Sequence, residues 1–238
     1  MAMPGVLTVK YGHRMTWDTC DPAYIKVYHE HLPIPGYNVS LHDTDNRSAL
    51  FPLNNVLFPG CMLSLQIFEQ RYLRLIKNCL RDNHGFVVIL ISAGKEVGDT
   101  PETFSIGSHV EIIDWATLEN GLFGITIEAK YRVRVSKPCA QDDGLLTGEI
   151  EKLPALEKSD HALTKQIPDL IDTLKQLEQH PYTEKQTREI DFTSAQDICH
   201  KLSQLLPVDP RIKQSLLEIN NTAEKIDRLR DLIYQIQQ

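Results

Sequence analysis

The sequence lacks the residue patterns on which disulfide frameworks, zinc sites and membrane spans depend. It has 238 residues but only five cysteines, an odd number that never shows Cys-x-x-Cys spacing. Neither a disulfide framework nor a cysteine-rich zinc site is expected, and reduced thiols fit a cytoplasmic protein. No apolar run reaches the ~18 to 20 residues of a membrane helix, and no signal peptide is recognisable at the N-terminus.

Catalytic signatures are also missing. A phosphate-binding loop needs Gly-x-x-x-x-Gly-Lys-Ser/Thr, whereas Lys95 is followed by Glu96. Neither a Gly-x-Gly-x-x-Gly fingerprint nor a Gly-x-Ser-x-Gly elbow occurs. His109 and Asp114 lie five residues apart on one predicted strand and therefore point to opposite faces. The sequence predicts a protein that is not an enzyme and that has no cofactor and no metal site.

Positive charge is in short supply as well. The chain has 25 Lys and Arg against 32 Asp and Glu, a formal net charge of −7. A sequence-independent binder of nucleic acid or of an anionic membrane needs a positive field, so neither is the expected partner. Arg132 and Arg134 alternate with valines and share one strand face, for which a solvated environment is the favoured interpretation.

Three regions differ in pattern. Residues 1–47 are polar and irregular, residues 48–153 are rich in strand signals, and residues 154–238 have a helical period. The predicted strands lie at 49–53, 62–68, 86–91, 109–118, 122–128, 131–135 and 145–153, with one helix at 69–81. Six or seven strands around one helix favour a closed or nearly closed barrel over a parallel α/β sheet.

The last region reads as four amphipathic helices, which makes the fold class α+β. Pro168 predicts a kink or restart in the first of these helices, and Thr193 has capping-box spacing at the start of the second. Asp209 followed by a proline opens the third, and the fourth begins at Asn221. The mixed charges of residues 224–231 predict a solvated helix face, and His200 is expected at a helix surface or boundary.

The most specific stretch runs from Phe51-Pro-Leu-Asn-Asn-Val-Leu-Phe-Pro-Gly60 through Leu63 to Leu73. Together with Ile67 to Tyr72, Glu96-Val-Gly98, Asn120 to Glu128 and Tyr131-Arg-Val133, it resembles the Lon protease N-terminal, substrate-binding domain family. The resemblance covers residues 49–236. It implies a PUA-like β-barrel lobe with one embedded helix at 48–153 and a helical lobe at 154–238, which together form one Lon N-terminal-type domain.

The resemblance is to the stand-alone bacterial type of this family. Full Lon proteases continue into an ATPase module and a serine–lysine proteolytic domain, and the chain ends where these would begin. Residues 1–47 form an extension outside the match, and a native start near Val39 or Leu41 is the expectation for this segment.

By resemblance, the expected function is non-enzymatic binding of polypeptide, either client segments or a partner protease or chaperone. The candidate peptide-binding residues are Phe58, Met62 and Phe68, because an apolar Pro-Gly turn with a flanking methionine forms an adaptable surface. Core packing is the competing interpretation for these three side chains.

Two alternatives stay open. PUA-like barrels often bind RNA, and Tyr131, Arg132 and Arg134 lie together in the sequence. A hydrolase would need a pocket that converges on His109, Asp114 or Glu128. The sequence does not specify the client, the binding face or the oligomeric state.

Overall fold

The described part of the chain folds as an α+β unit. In the computed structural model, the described residues are 46–98, 100–119, 121–155, 161–179 and 190–236. All of them belong to one compact unit that begins at Asn46. Residues 1–45, which include Cys20 and the expected start positions Val39 and Leu41, lie outside the described residues.

Six strands of the described residues form one mixed sheet. They are β1 (Arg47–Leu53), β2 (Met62–Ile67), β3 (Phe86–Ala93), β4 (Glu102–Thr117), β5 (Phe123–Ala140) and β6 (Leu146–Lys152). The strand order is β2-β5-β4-β3-β1-β6, with β1 and β3 parallel and every other pair antiparallel. Because β6 also pairs with β5, five strands close into a ring, and β2 extends the sheet beyond that ring.

The fifth strand is longer than the sequence pattern predicted. The separate strands expected at 122–128 and 131–135 are one continuous strand, β5. No turn residue lies between them, and a bulge accommodates the change of side-chain pattern. His109 pairs with Tyr131 while the next residue, Val110, pairs with Ala129, so Lys130 is the extra residue.

Helices follow both the second and the last strand. Among the described residues they are α1 (Gln70–Asp82), α2 (His161–Thr164), α3 (Pro168–Glu178), α4 (Ala195–Leu205), α5 (Pro210–Glu218) and α6 (Thr222–Ile236). The break between α2 and α3 lies at Pro168, as expected. Helix α1, predicted at 69–81, ends at Asp82 and is capped by Asn83, which adopts φ +50°.

Two helix starts show how local side chains fix the helical region. The Asp209 carboxylate accepts a hydrogen bond from the Arg211 N–H at 2.7 Å, which confirms the predicted cap of α5. The cap of α4 is Ser194, whose hydroxyl accepts from the Asp197 N–H at 3.2 Å. The predicted cap, Thr193, is therefore wrong by one residue.

The main hydrophobic core spans the sheet and the helices. It joins side chains such as Leu75 of α1, Ile127 of β5, Leu202 of α4 and Leu229 of α6. A smaller cluster forms from other residues of the ring strands: Leu50, Val87, Ile89, Val133, Val135 and Leu146. Strands β1, β3 and β5 of the ring therefore contribute side chains to both clusters.

Two sequence expectations concern membranes and thiols. None of the described helices is long and apolar enough to cross a membrane. The cysteines in the described residues are free thiols, with Cys61, Cys79 and Cys199 buried and Cys139 exposed. Burial raises the pKa of the Cys61 thiol to about 12, so this group is a neutral core residue.

Candidate functional site

The segment that connects β1 to β2 ends in a tight turn, which contains the Pro59-Gly60 pair. The Cys61 N–H donates to the Phe58 carbonyl oxygen at 3.0 Å, and Gly60 adopts φ +76°. This is the geometry of a type II turn, in which glycine is favoured because other residues are strained at positive φ. The Gly60 N–H also donates to the Ala129 carbonyl oxygen at 2.8 Å, which fixes the turn against β5.

Side chains of α4 bind the remaining backbone groups of this turn. The Gln204 Oε1 atom accepts a hydrogen bond from the Phe58 N–H at 3.1 Å, and Lys201 Nζ donates to the Gly60 carbonyl oxygen. Both side chains are buried. We refer to this arrangement as the sheet–helix junction, and it consists of residues 57–61, Ser108, Lys201 and Gln204.

Phe58 belongs to the core of this junction and not to the surface. Its side chain has no exposed area. Its ring lies 6.2 Å from the His200 ring, measured between centroids, and 5.9 Å from Lys225 Nζ. The core interpretation therefore holds for Phe58, and the residue does not belong to a client-binding surface.

The other two sequence candidates lie at the two ends of β2. Met62 is half-buried at the first position of this strand, where it pairs with Glu128. Phe68 directly follows the last residue of β2, and its side chain is 51 % exposed. Of the three candidates, Phe68 is therefore the one whose side chain is accessible to a partner.

Sequence reasoning missed a second exposed apolar side chain. Val97, in the loop after β3, is 52 % exposed. The carboxylates of Glu69 and Glu96, the neighbours of Phe68 and Val97, both lie close enough to Tyr72 to affect its pKa. The segments that carry Phe68 and Val97 are therefore both within electrostatic range of Tyr72, and we refer to the two exposed residues as the Phe68–Val97 surface. The available sequence signal for Val97 was its position as a single apolar residue in an otherwise polar turn between two glycines.

Strand β1 positions both segments of this surface. The Phe51 ring stacks on the Tyr72 ring of α1 with 4.1 Å between centroids. The N–H of Asn54, just after β1, donates to Glu96 at 2.5 Å. The region of β1 therefore contacts α1, which follows Phe68, and Glu96, which precedes Val97.

Strand β2, which ends next to Phe68, is the last strand on one side of the sheet formed by the described residues. Among the described strands, β2 pairs only with β5, so its other edge has no strand partner there. The strand reads Met-Leu-Ser-Leu-Gln-Ile, with neither a charged residue nor a proline. Natural sheets usually protect their edges with such residues, so this edge is compatible with addition of another strand.

Basic side chains are buried where the helices meet β5, which the sequence did not predict. Arg132 was expected on a solvated strand face, but its guanidinium donates to the carbonyl oxygens of Leu217 at 2.8 Å and Ile219 at 2.9 Å. His200 was expected at a surface or boundary, and Lys225 on a solvated face, yet both are buried. Strand alternation and helical period show which residues share a face but not which element covers it.

The environments of Arg132 and Arg134 bear on the RNA-binding alternative. Arg132 is committed to backbone carbonyl oxygens and is buried. Arg134 is exposed and lies 3.7 Å from the Glu151 carboxylate. Of the two arginines that supported RNA binding, only Arg134 is therefore at the surface.

The residues of the hydrolase alternative contact different neighbours. The His109 ring stacks on Tyr131 with 4.7 Å between centroids, and burial lowers its pKa. Glu128 accepts from Lys130 Nζ at 2.8 Å, and Asp114 accepts from the backbone N–H that follows it. Within the described ranges, no group of three or more His, Cys, Asp or Glu side chains is arranged to hold a metal ion.

The architecture is shared with solved N-terminal domains of Lon-type proteins. The chain is similar to a Lon N-terminal domain protein from Xanthomonas campestris, with a TM-score of 0.62, 24 % identity and coverage of 78 % of this chain and 97 % of that one. It is also similar to the N-terminal domain of a Mycobacterium avium complex Lon protease, with a TM-score of 0.57, 14 % identity and coverage of 78 % and 96 %.

The chain belongs to the family of the ATP-dependent protease La (LON) substrate-binding domain, whose sequence profile matches residues 48–235. It is 25 % identical over 191 residues to Lon protease 1 of Bdellovibrio bacteriovorus, covering 75 % of this chain and 24 % of that protein. It is 28 % identical over 204 residues to Lon protease of Orientia tsutsugamushi, covering 80 % and 25 %. The chain thus spans about a quarter of the length of the curated relatives it matches.

The first prediction concerns the sheet–helix junction. Replacing Gln204 with Leu keeps the side-chain size but removes the acceptor of the buried Phe58 N–H. We expect the free energy of unfolding, measured by urea titration, to fall by about 1–3 kcal/mol. The matched control is Gln235→Leu on the exposed face of α6, which should change it by less than about 0.5 kcal/mol. Equal effects of the two substitutions would contradict the role assigned to Gln204.

The second prediction concerns Lys225. Burial, with Arg132 nearby, lowers its pKa from the usual 10.5 to about 7, so below about pH 7 folding must bury a charged ammonium. This cost falls as pH rises from about 7 to about 10.5, because the folded state then holds a neutral amine while the unfolded chain stays protonated. Lys225→Met should therefore be more stable than the parent by a few kcal/mol near pH 6, with the difference shrinking towards pH 10.

The measurement is urea unfolding of both proteins in phosphate-free chloride buffer across this pH range. Lys213, whose pKa burial lowers to about 8, contributes a trend of the same sign in both proteins, so only their difference reports on Lys225. Lys77→Met, on an exposed position of α1, is the matched control. A difference between parent and Lys225→Met that does not change with pH would show that Lys225 is not a buried titrating group.

Proposed function

We propose that this chain is a non-enzymatic binding protein that captures extended, apolar segments of polypeptides. Its membership of a substrate-binding domain family supports a binding role. In this proposal residues 48–153 form a PUA-like barrel lobe and residues 154–238 a helical lobe, and the two act as one domain. The closed ring of five strands supports the barrel assignment.

The exposed ring of Phe68 beside the open edge of β2 is the observation that carries the proposal. Burying a phenylalanine side chain contributes about 1.5–3 kcal/mol, which suits weak and reversible capture. An extended segment can add its backbone hydrogen bonds to the edge of β2 while one of its apolar side chains covers Phe68. A protease or chaperone partner that presents such a segment would use the same surface.

The surroundings of the surface favour particular clients. Val97 is a second exposed apolar side chain that a client segment could contact. Glu69 and Glu96 flank the two exposed residues, and the whole chain has a net charge of −7. Acidic segments are therefore disfavoured, and apolar segments flanked by lysine or arginine are the preferred class.

The third prediction tests this surface directly. Phe68→Ala should weaken binding to a reduced and alkylated, permanently unfolded protein by roughly tenfold, since an exposed aromatic anchor contributes more than 1 kcal/mol to an interface. Binding is measured by fluorescence anisotropy of the labelled unfolded protein. Tyr234→Ala removes another exposed aromatic side chain, on α6, and should leave the affinity unchanged.

Two results would count against the proposal. The first is an affinity of the parent protein for the unfolded chain that is no greater than for its native, folded form. The second is equal loss of affinity in Phe68→Ala and Tyr234→Ala, because it would show nonspecific adhesion of exposed aromatic groups.

A further inference from the structure

Three buried polar side chains near the start of α6 have unsatisfied hydrogen-bonding atoms. They are Lys225, Thr222 and His200, of which 0 %, 5 % and 3 % is exposed. Within the described ranges, the Lys225 Nζ, Thr222 Oγ1 and His200 Nε2 atoms have no hydrogen-bond partner. Buried polar atoms are nearly always paired, so three unpaired atoms in one region indicate a ligand or ion that completes them.

Lys225 and His200 both lie near the Phe58 ring, and helical spacing places Thr222 on the same side of α6 as Lys225. Thr222 and Lys225 are three residues apart on α6 and therefore lie on the same side of the helix. The Phe58 ring lies 5.9 Å from Lys225 Nζ and 6.2 Å from the centroid of the His200 ring, so α4 and α6 direct these two groups towards one core residue.

The electrostatic environment of this place is positive. After burial itself, the groups that affect the pKa of Lys225 are Arg132 of β5 and Cys199 of α4, and those that affect the pKa of His200 are Lys225, Arg132 and Lys201. No carboxylate is among these groups in the described part of the chain, and Cys199 is a neutral buried thiol. A buried ammonium beside a buried guanidinium, without a counterion, is unfavourable.

Backbone groups around the start of α6 already have hydrogen-bond partners of their own. The Asn221 Oδ1 atom already accepts from the N–H groups of Ala223 at 2.8 Å and Glu224 at 3.1 Å. Arg132 is likewise bound to the carbonyl oxygens that precede the helix. The free donors that remain are therefore side-chain groups, and they match the acceptor oxygens of an anion.

We propose that this cluster is a binding site for a small oxyanion of the phosphate or carboxylate class. The anion accepts hydrogen bonds from Lys225 Nζ and Thr222 Oγ1, and from His200 in the tautomer that carries its proton on Nε2. It neutralises Lys225 beside Arg132 and links α6 to α4 and β5. The site is separate from the Phe68–Val97 surface and does not depend on the proposed client binding.

The fourth prediction is tested by thermal unfolding and by isothermal titration calorimetry with inorganic phosphate, sulfate and acetate, each compared with chloride at equal ionic strength. We expect at least one oxyanion to bind with a stoichiometry of one and to raise the unfolding midpoint. A response to phosphate and sulfate but not acetate would assign the site to tetrahedral oxyanions, and the reverse would assign it to carboxylates. Sulfate, whose charge stays constant, should bind more tightly near pH 6 than near pH 10, because Lys225 is charged at the lower pH.

Variants separate this site from general salt effects. Sulfate and phosphate also stabilise proteins by exclusion from their surfaces, which would raise the midpoint of every variant equally. Lys225→Met should lose the calorimetric signal, and Thr222→Val should raise the dissociation constant roughly tenfold, as expected for loss of one hydrogen bond to a charged ligand. Lys77→Met, at an exposed position of α1, should bind the oxyanion as the parent does. Absence of one-to-one binding in the parent, or retention of the full response by Lys225→Met, would overturn the proposal.

Discussion

The turn at residues 57–61 lies against α4 with Leu57, Phe58 and Cys61 buried, and several of its backbone groups are bound by side chains that are distant in sequence. Gln204 accepts from the N–H of Phe58, Lys201 donates to the carbonyl of Gly60, and Ser108 donates to the carbonyl of Leu57 at 2.5 Å. A buried backbone group without a partner is costly, so the turn can be buried only when α4 is in place. The turn between β1 and β2 therefore packs in this position only when helix α4 is folded against it.

Further hydrogen bonds join the strands to the helices, some from strand side chains to helix backbone and one from a helix side chain to strand backbone. Arg132 of β5 binds carbonyl oxygens at the end of α5, and the Gln214 side chain of α5 donates to the Ile106 carbonyl oxygen of β4 at 2.9 Å. Each of these bonds joins a side chain of one layer to the backbone of the other. Such bonds fix orientation as well as distance, which an apolar interface alone does not. These bonds therefore fix the position of the helices on the sheet that carries β2 and Phe68.

The sequence predicted those features that depend on local backbone chemistry. Pro168 correctly indicated the break before α3, and Asp209 correctly indicated the start of α5, because proline and a capping carboxylate act within a few residues. It did not predict the burial of Arg132, His200 and Lys225, because periodicity gives the face of an element and not the element that covers it. The family resemblance, by contrast, rested on a combination of short segments, and the matched profile over residues 48–235 confirms it.

The candidate binding residues also show that sequence pattern does not reveal which side chains another element covers. Phe58, Met62 and Phe68 all lie near one apolar turn and strand, yet the structure buries the first, half-buries the second and exposes the third. The difference arises from α4, which covers residues 57–61 but does not protect Phe68. Val97 went unrecognised because an isolated valine in a glycine turn has no periodic pattern to place it.

The central claim is that the sheet and the helices are one cooperative structure joined at residues 57–61. Native-state hydrogen exchange of the Phe58 amide tests it most directly, because the acceptor of this N–H is a side chain of α4. We expect this amide to exchange only through global unfolding, at the same free energy as the amides of the buried strand β3. Exchange of Phe58 at the rate of an exposed loop, with β3 still protected, would show that the sheet and the helices unfold independently.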